Sequence, residues 1–138
     1  MGAAKIAYLS RWFYLKKCGG IAQVLKNINR VLYACDISYK ADIAGLLNLP
    51  HQGLGVVIGD GCVIGKNVTI RQNVTIGGKT VDGSYRYPIL GNDVMVGAGA
   101  VIIGKVFIGD NCNIGANSVV LKDVPANMIV VGIPGRII

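Results

Sequence analysis

The stretch VIGDGCVIGKNVTIRQNVTIGG, residues 57–78, repeats a pattern of six residues. The pattern fills four hexads from Val57 to Thr80 and six more from Ile89 to Val124, which makes ten hexads. The second position is aliphatic in all ten, namely Ile58, Ile64, Ile70, Ile76, Leu90, Val96, Ile102, Ile108, Ile114 and Val120. The last position is always small or β-branched. A unit this short cannot enclose a core alone, so the repeat predicts coils that stack into a solenoid.

The fifth position of the hexad predicts a corner. It holds Gly, Asn or Asp in eight of the ten hexads, at Gly61, Asn67, Asn73, Asp93, Gly99, Asn111, Asn117 and Asp123. These residues enter left-handed backbone conformations at the least cost. A helix is excluded because glycine recurs and the period does not match 3.6 residues. We therefore expect an all-β solenoid, which begins near Asp36 because Ile37, Ile43 and Leu49 are also six residues apart.

Two irregularities interrupt this repeat. The segment VDGSYRYP, residues 81–88, separates the fourth and fifth hexads and predicts an extruded loop. Long loops on rigid scaffolds are often functional. The second irregularity is a shift of three residues between the frame of Leu49 and the frame of Ile58. His51, the only histidine, lies at this shift.

Residues 1–35 predict a separate helical segment ahead of a β-helical domain at 36–138. Two short amphipathic helices are expected, the second with an apolar face at Ile21, Val24, Leu25, Ile28, Val31 and Leu32. They would cap the open first coil. Residues 1–40 carry a net charge of +6 and residues 41–138 only +1. The charge therefore does not predict nucleic-acid binding. It leaves two interpretations for residues 1–35, packing on an assembly with solvated lysines or peripheral contact with a membrane.

The cysteines and the hydropathy limit the protein class. Cys18, Cys35, Cys62 and Cys112 form no C-x-x-C pair, and a single histidine cannot complete a zinc set, so core thiols and no metal are expected. No apolar run reaches the roughly 18 residues of a membrane span. We predict a cytoplasmic protein, at most held at the inner face of the membrane.

Several motifs together resemble the serine acetyltransferase-like branch of the hexapeptide-repeat acyltransferases. They are CDI at residues 35–37, H-x-x-x-G-V-V-I-G from His51, QNVTIGGK at 72–79, the run at 96–120 and the closing GIPGRII at 132–138. The resemblance implies a left-handed parallel β-helix, a homotrimer and acetyl-CoA as donor. The left-handed winding comes from the family, because crossovers are otherwise right-handed.

The resemblance also implies roles for particular residues. His51 would be the general base that takes the proton of an acceptor hydroxyl, and Asp36, fifteen residues earlier, would orient its ring. With about eighteen residues per coil, Asp36 is expected near the same corner. The other implied contacts are Gly78, Ala98 and Ala116 along the pantetheine arm, Lys122 and Arg136 at the CoA phosphates, and Arg86 and Tyr87 at the acceptor.

The sequence departs from the serine-specific pattern at the acceptor side. Pro50 stands where an aspartate would meet the serine amine, and Tyr87 replaces the histidine of D-R-H-P. These departures favour a sugar or surface-polysaccharide precursor as the acceptor. Serine O-acetylation for cysteine biosynthesis remains an alternative, supported by Arg86. A non-catalytic trimeric binding module is a further alternative.

Overall fold

The computed structural model describes all 138 residues. Two helices, α1 (Ala3–Leu15) and α2 (Gly19–Tyr33), precede sixteen short strands. The strands are β1 (Asp36–Ile37), β2 (Asp42–Ile43), β3 (Val57–Ile58), β4 (Val63–Ile64), β5 (Thr69–Ile70), β6 (Thr75–Gly77), β7 (Lys79–Val81), β8 (Ser84–Arg86), β9 (Ile89–Leu90), β10 (Met95–Val96), β11 (Val101–Ile103), β12 (Phe107–Ile108), β13 (Asn113–Ile114), β14 (Val119–Val120), β15 (Ile129–Val131) and β16 (Arg136–Ile137).

The strands form three faces of a left-handed parallel β-helix, as predicted. One face has the order β1-β3-β6-β11-β14, the second β12-β9-β4-β2, and the third β16-β15-β13-β10-β5. Within these three faces the pairing is parallel except between β15 and β16 at the carboxyl end, and β7 and β8 form a separate antiparallel pair. Ile58 pairs with Ile76, 18 residues later, whereas Ile37 pairs with Ile58, 21 residues later. The first coil is therefore three residues longer than the second, which accounts for the frame shift around His51.

The repeat positions match the interior of the solenoid closely. All ten aliphatic second positions are at most 2% exposed. The last position is buried in nine hexads, and the exception is Thr80, where the chain leaves the coil. Six of the eight predicted corner residues have positive φ, from 55° at Asn67 to 72° at Gly99. Gly61 and Asp123 do not, so a Gly or an Asp at this position does not by itself fix a left-handed corner.

Helix α1 packs on the first coil, but the apolar face of α2 does not. Ala3 and Ala7 of α1 belong to the same core cluster as Leu47 and Leu49 of the solenoid. The predicted apolar face of α2 is largely exposed, with Val31 84% accessible. The opposite face contacts α1, because buried Asn29 donates to the Ala3 carbonyl at 3.0 Å. Within one chain, α1 therefore supplies the contacts with the first coil, and the apolar face of α2 stays largely exposed. Neither helix is long and apolar enough to cross a membrane.

The four cysteines are free thiols, and three of them lie in the core as predicted. Cys35, Cys62 and Cys112 are fully buried, whereas Cys18 is partly accessible. Burial, and then the neighbouring Asp36 carboxylate, raise the pKa of Cys35 to about 12. Burial is also the main cause that raises the pKa of Cys62 to about 11. These two thiols therefore stay protonated at neutral pH.

Iodoacetamide is expected to modify one cysteine, Cys18, quickly in the native protein and all four in guanidinium chloride. A raised pKa lowers the thiolate fraction, and the thiolate is the species that reacts. Mass spectrometry of tryptic peptides would count the labelled sites against time at pH 8. Fast labelling of Cys62 in the folded protein would contradict its placement in the core.

Candidate active site

His51 lies on a tight turn, Pro50–Gly53, that holds the three extra residues of the first coil. Its backbone is left-handed, with φ 56° and ψ 30°, and Gln52 follows with φ 57° and ψ 27°. Two successive residues other than glycine in this region are costly, and such strain concentrates at functional sites. The imidazole is exposed and forms no hydrogen bond or ion pair within the chain. The turn therefore presents a free ring at a corner of the solenoid.

Asp36 does not contact His51 in the single chain. Its carboxylate lies 3.3 Å from Lys26 Nζ and 3.7 Å from Arg30 Nε, both on α2. A spacing of fifteen residues returns near the same corner in a coil of eighteen residues, whereas the first coil has 21. Asp36 therefore pairs with Val57 in the sheet and turns its outward side chain toward α2. The proposed orienting role of Asp36 remains a prediction, and its partners here are the two cations.

The predicted loop at 81–88 begins earlier than expected and is a regular hairpin. Strands β7 and β8 pair antiparallel from Lys79 to Arg86. Asp82 and Gly83 form the turn with φ 48° and 75°. Positive φ at both turn residues is the geometry that two-residue hairpins prefer, and Asp-Gly supports it. The hairpin carries exposed Arg86 at the end of its second strand, close to the body of the solenoid.

Tyr87 packs its ring onto a surface made of glycines. A Cβ at Gly59 would lie 3.0 Å from the Tyr87 ring, a Cβ at Gly61 would overlap it, and a Cβ at Gly78 would lie 2.9 Å from it. Tyr85 meets Tyr87 edge to face with centroids 5.1 Å apart and covers Gly78 as well. Desolvation, and then the Asp60 carboxylate, raise the pKa of the Tyr87 phenol. The surface predicted to receive the thioester at Gly78 is thus bordered by two tyrosines.

Ala98 and Ala116 occupy equivalent corners of successive coils, as the repeat predicts. The Ala98 carbonyl accepts from the Asn117 amide at 2.8 Å, so that oxygen is already used. The amide N–H groups of Ala98 and Ala116 donate to no group in the chain. The coils approach closely here, because a Cβ at Gly97 would lie 2.6 Å from the Ala116 nitrogen. The corner therefore offers two free N–H donors without bulky side chains.

Lys122 and Arg136 lie toward the carboxyl end of the solenoid, Lys122 just after β14 and Arg136 on β16. Both side chains are exposed, and neither forms an ion pair. Both side chains are therefore free to meet an anion. No group of three or more His, Cys, Asp or Glu side chains is arranged to hold a metal ion.

Comparisons with known proteins agree with this architecture. The family described as bacterial transferase hexapeptide (six repeats) matches residues 87–122, and the hexapeptide repeat of succinyl-transferase matches residues 55–81. Serine acetyltransferase of Synechococcus elongatus is 42% identical over 94% of this chain and 53% of its own length. Neisseria gonorrhoeae serine acetyltransferase in complex with serine is 37% identical, with TM-score 0.88 over 97% of this chain and 54% of that chain.

A structure of Brucella abortus serine acetyltransferase in complex with coenzyme A is 36% identical, with TM-score 0.90 over 97% of this chain and 53% of that chain. The chain therefore carries hexapeptide repeats and is similar to serine acetyltransferases over almost its whole length. It spans about half the length of the curated relatives it matches.

The prediction that this serine acetyltransferase-like chain acts on a sugar or polysaccharide precursor is wrong. The matched relatives are serine acetyltransferases, and they include one solved with serine. The prediction rested on the departures at Pro50 and Tyr87. The structure gives both residues local roles, because Pro50 opens the His51 turn and Tyr87 packs on Gly61. Neither departure is therefore a reliable sign of a different acceptor.

The sequence did not reveal three contacts around the candidate site. Lys26 and Arg30 bind Asp36, and Gln52 accepts a hydrogen bond from the amide of Ala3. A signal for the first contact was available, because Lys26 and Arg30 are four residues apart and so share one face of α2. No sequence signal identifies the Gln52 contact, which depends on how α1 docks against the turn.

Proposed function

We propose that this chain catalyses transfer of an acetyl group from acetyl-CoA to the hydroxyl of L-serine. The observation that carries the proposal is the match to solved serine acetyltransferases with bound coenzyme A or serine, at 36–37% identity over 97% of the chain. The exposed His51 on a strained turn supports it from the geometry. The relatives and this turn favour an enzyme over a non-catalytic binding module.

His51 is the general base in this proposal. A serine hydroxyl is a weak nucleophile at neutral pH, so an imidazole nitrogen must accept its proton as the oxygen attacks the thioester carbonyl. The same ring then returns the proton to the departing CoA thiolate. Asp36 would orient the ring, which requires its carboxylate to turn away from Lys26 and Arg30, at 3.3 Å and 3.7 Å.

The donor site runs along the corner of Ala98 and Ala116. Their free N–H groups fit the amide carbonyls of a pantetheine arm, and the absence of large side chains leaves the backbone accessible. Gly78 lies at the base of the hairpin, against the rings of Tyr85 and Tyr87, and would border the thioester. Lys122 and Arg136 would meet the CoA phosphates by charge-assisted hydrogen bonds.

The acceptor site lies between the His51 turn and the hairpin. Arg86 would bind the serine carboxylate, for which a guanidinium offers two parallel N–H donors. Tyr87 would form the wall beside it, because its ring is fixed on Gly61 and against Tyr85. We place the reaction in the cytoplasm, where free buried thiols such as Cys62 remain reduced.

Turnover of L-serine tests this function. Incubation with acetyl-CoA and L-serine is expected to release free CoA and to form O-acetylserine, identified by mass spectrometry. O-methylserine is the matched control, because it keeps the amine and the carboxylate but lacks the reacting hydroxyl. Equal CoA release with both compounds, or none with L-serine, would refute the assignment.

We also propose that three copies form the active assembly. The outward side chains of Val63, Ile89 and Phe107 are in register on one face of the solenoid and are 36%, 43% and 51% exposed. A continuous apolar stripe on a regular sheet face marks an association surface. A trimer would bury such stripes and create grooves between neighbouring solenoids.

Sedimentation equilibrium is expected to give three times the chain mass for the wild type. Phe107→Glu should shift the protein to one chain mass, because association would bury a carboxylate within the apolar stripe. Lys105→Glu, at an exposed corner two residues away, is the control for added negative charge. A wild-type mass of one chain at micromolar concentration would overturn the trimer.

A further inference from the structure

The turn that carries His51 is tied to helix α1 by one side chain. Gln52 Oε1 accepts a hydrogen bond of 3.0 Å from the backbone N–H of Ala3. Ala3 is the first residue of α1 and is fully buried. Gly2 lies against the side-chain amide of Gln52, since a Cβ at Gly2 would be 2.7 Å from Gln52 Oε1. Gln52, the residue after the proposed base His51, thus accepts from a backbone N–H at the start of α1 that would otherwise have no partner.

The start of α1 is in turn held from the other side by α2. Asn29 Nδ2 donates to the Ala3 carbonyl at 3.0 Å, and the Tyr33 hydroxyl donates to the Met1 carbonyl at 2.9 Å. Asn29 is 2% exposed, so its bond is shielded from water. Ala3 therefore accepts a hydrogen bond from α2 at its carbonyl oxygen and donates one to the His51 turn through its N–H.

The turn needs such support because its backbone is strained. A left-handed residue other than glycine costs roughly 1–2 kcal/mol, and His51 and Gln52 are consecutive. Strained conformations persist only where the surroundings fix them. The bond from Ala3 to Gln52 is the only side-chain hydrogen bond made by the turn Pro50–Gly53.

We propose that Gln52 is a positioning residue for His51. By accepting from the Ala3 amide, it holds the left-handed turn in the geometry that directs the imidazole to the acceptor hydroxyl. The helical segment thereby acts on the reaction without touching the substrate. The inference rests on the proposed serine acetyltransferase function.

Substitution of Gln52 separates positioning from general stability. Gln52→Ala is expected to lower kcat by about 10–100-fold, since a displacement near 1 Å can cost that much. The KM for acetyl-CoA should not change, because the free amides of Ala98 and Ala116 lie on other coils. Gln52→Glu should keep kcat within about threefold of the wild type, because a carboxylate accepts the same bond and is favoured at a helix amino terminus.

An independent variant removes the hydrogen-bond donor, which is the backbone N–H of Ala3. Ala3→Pro removes the N–H, and proline is well tolerated at the first helical position. Gly2 has φ −80° and ψ 167°, an extended conformation that a following proline accepts. Ala3→Pro should lower kcat as much as Gln52→Ala, and the double variant should lose little more. Gln23→Ala, which removes bonds to Asn27 and Tyr39 on an exposed surface, is the control and should leave kcat unchanged.

Amide hydrogen exchange provides a readout that does not depend on turnover. In Gln52→Ala the Ala3 amide should exchange about tenfold faster, and the amides of Leu54 and Gly55 should follow. If the wild type does not turn over serine, the proposed function fails, and exchange still decides whether Gln52 holds the turn. Full kcat in Gln52→Ala, or unchanged exchange at Ala3, would overturn the positioning role.

Discussion

Replacing His51 with Asn is expected to lower kcat by about 10²–10⁴-fold, the usual contribution of a positioned general base. Asparagine suits the test because it tolerates a left-handed backbone, and His51 has φ 56°. The variant therefore removes the imidazole without adding strain to the turn. Initial rates of CoA release with saturating L-serine would measure the loss.

The controls for His51→Asn are the affinity for CoA and the unfolding temperature. Both should match the wild type, because the amides of Ala98 and Ala116 lie on other coils and the His51 ring is exposed. His51→Ala should be equally slow and slightly less stable. A His51→Asn enzyme with wild-type kcat would remove the histidine from the mechanism.

Replacing Arg86 with Ala is expected to raise the KM for L-serine by about 10–100-fold with a smaller change in kcat. A hydrogen bond between a guanidinium and a carboxylate contributes roughly 1.5–3 kcal/mol, which corresponds to this range. The loss should fall on the acceptor and not on acetyl-CoA. Steady-state kinetics with each substrate varied in turn would separate the two.

Lys79→Ala is the matched control for Arg86→Ala. Lys79 lies directly across the hairpin from Arg86 and is also exposed. The substitution Lys79→Ala removes one positive charge, as Arg86→Ala does. Its KM for L-serine should stay within about twofold of the wild type, as expected for an exposed lysine without a partner. Equal effects of the two substitutions would mean that Arg86 acts through general charge and not by binding the carboxylate.

The solenoid could be predicted from the sequence because each hexad buries the same aliphatic position by the same contacts between neighbouring coils. An aliphatic residue every sixth position, such as Ile58 and Ile76, has one way to become buried, and the coil stack provides it. The frame shift at His51 was visible for the same reason, since a break in a strict repeat marks an insertion. The turn-forming Asp82-Gly83 likewise indicated an excursion, although its hairpin began at Lys79.

The contacts of the N-terminal helices could not be predicted, because they depend on docking between elements. An amphipathic pattern predicts a face that prefers burial, but Val31 remains exposed while Asn29 is buried against α1. The partners of Asp36 depended on the true length of the first coil, which fifteen-residue spacing alone does not give. The acceptor was predicted wrongly because substitutions such as Tyr87 were interpreted as specificity when they serve packing.

A crystal structure with coenzyme A and L-serine bound would test the central claim most directly. The decisive quantity is the distance from the nearer ring nitrogen of His51 to the serine hydroxyl oxygen. We predict a hydrogen bond of about 2.6–3.2 Å, as required of a general base. A serine hydroxyl held by another residue, with the His51 ring beyond reach even through one water, would contradict the mechanism.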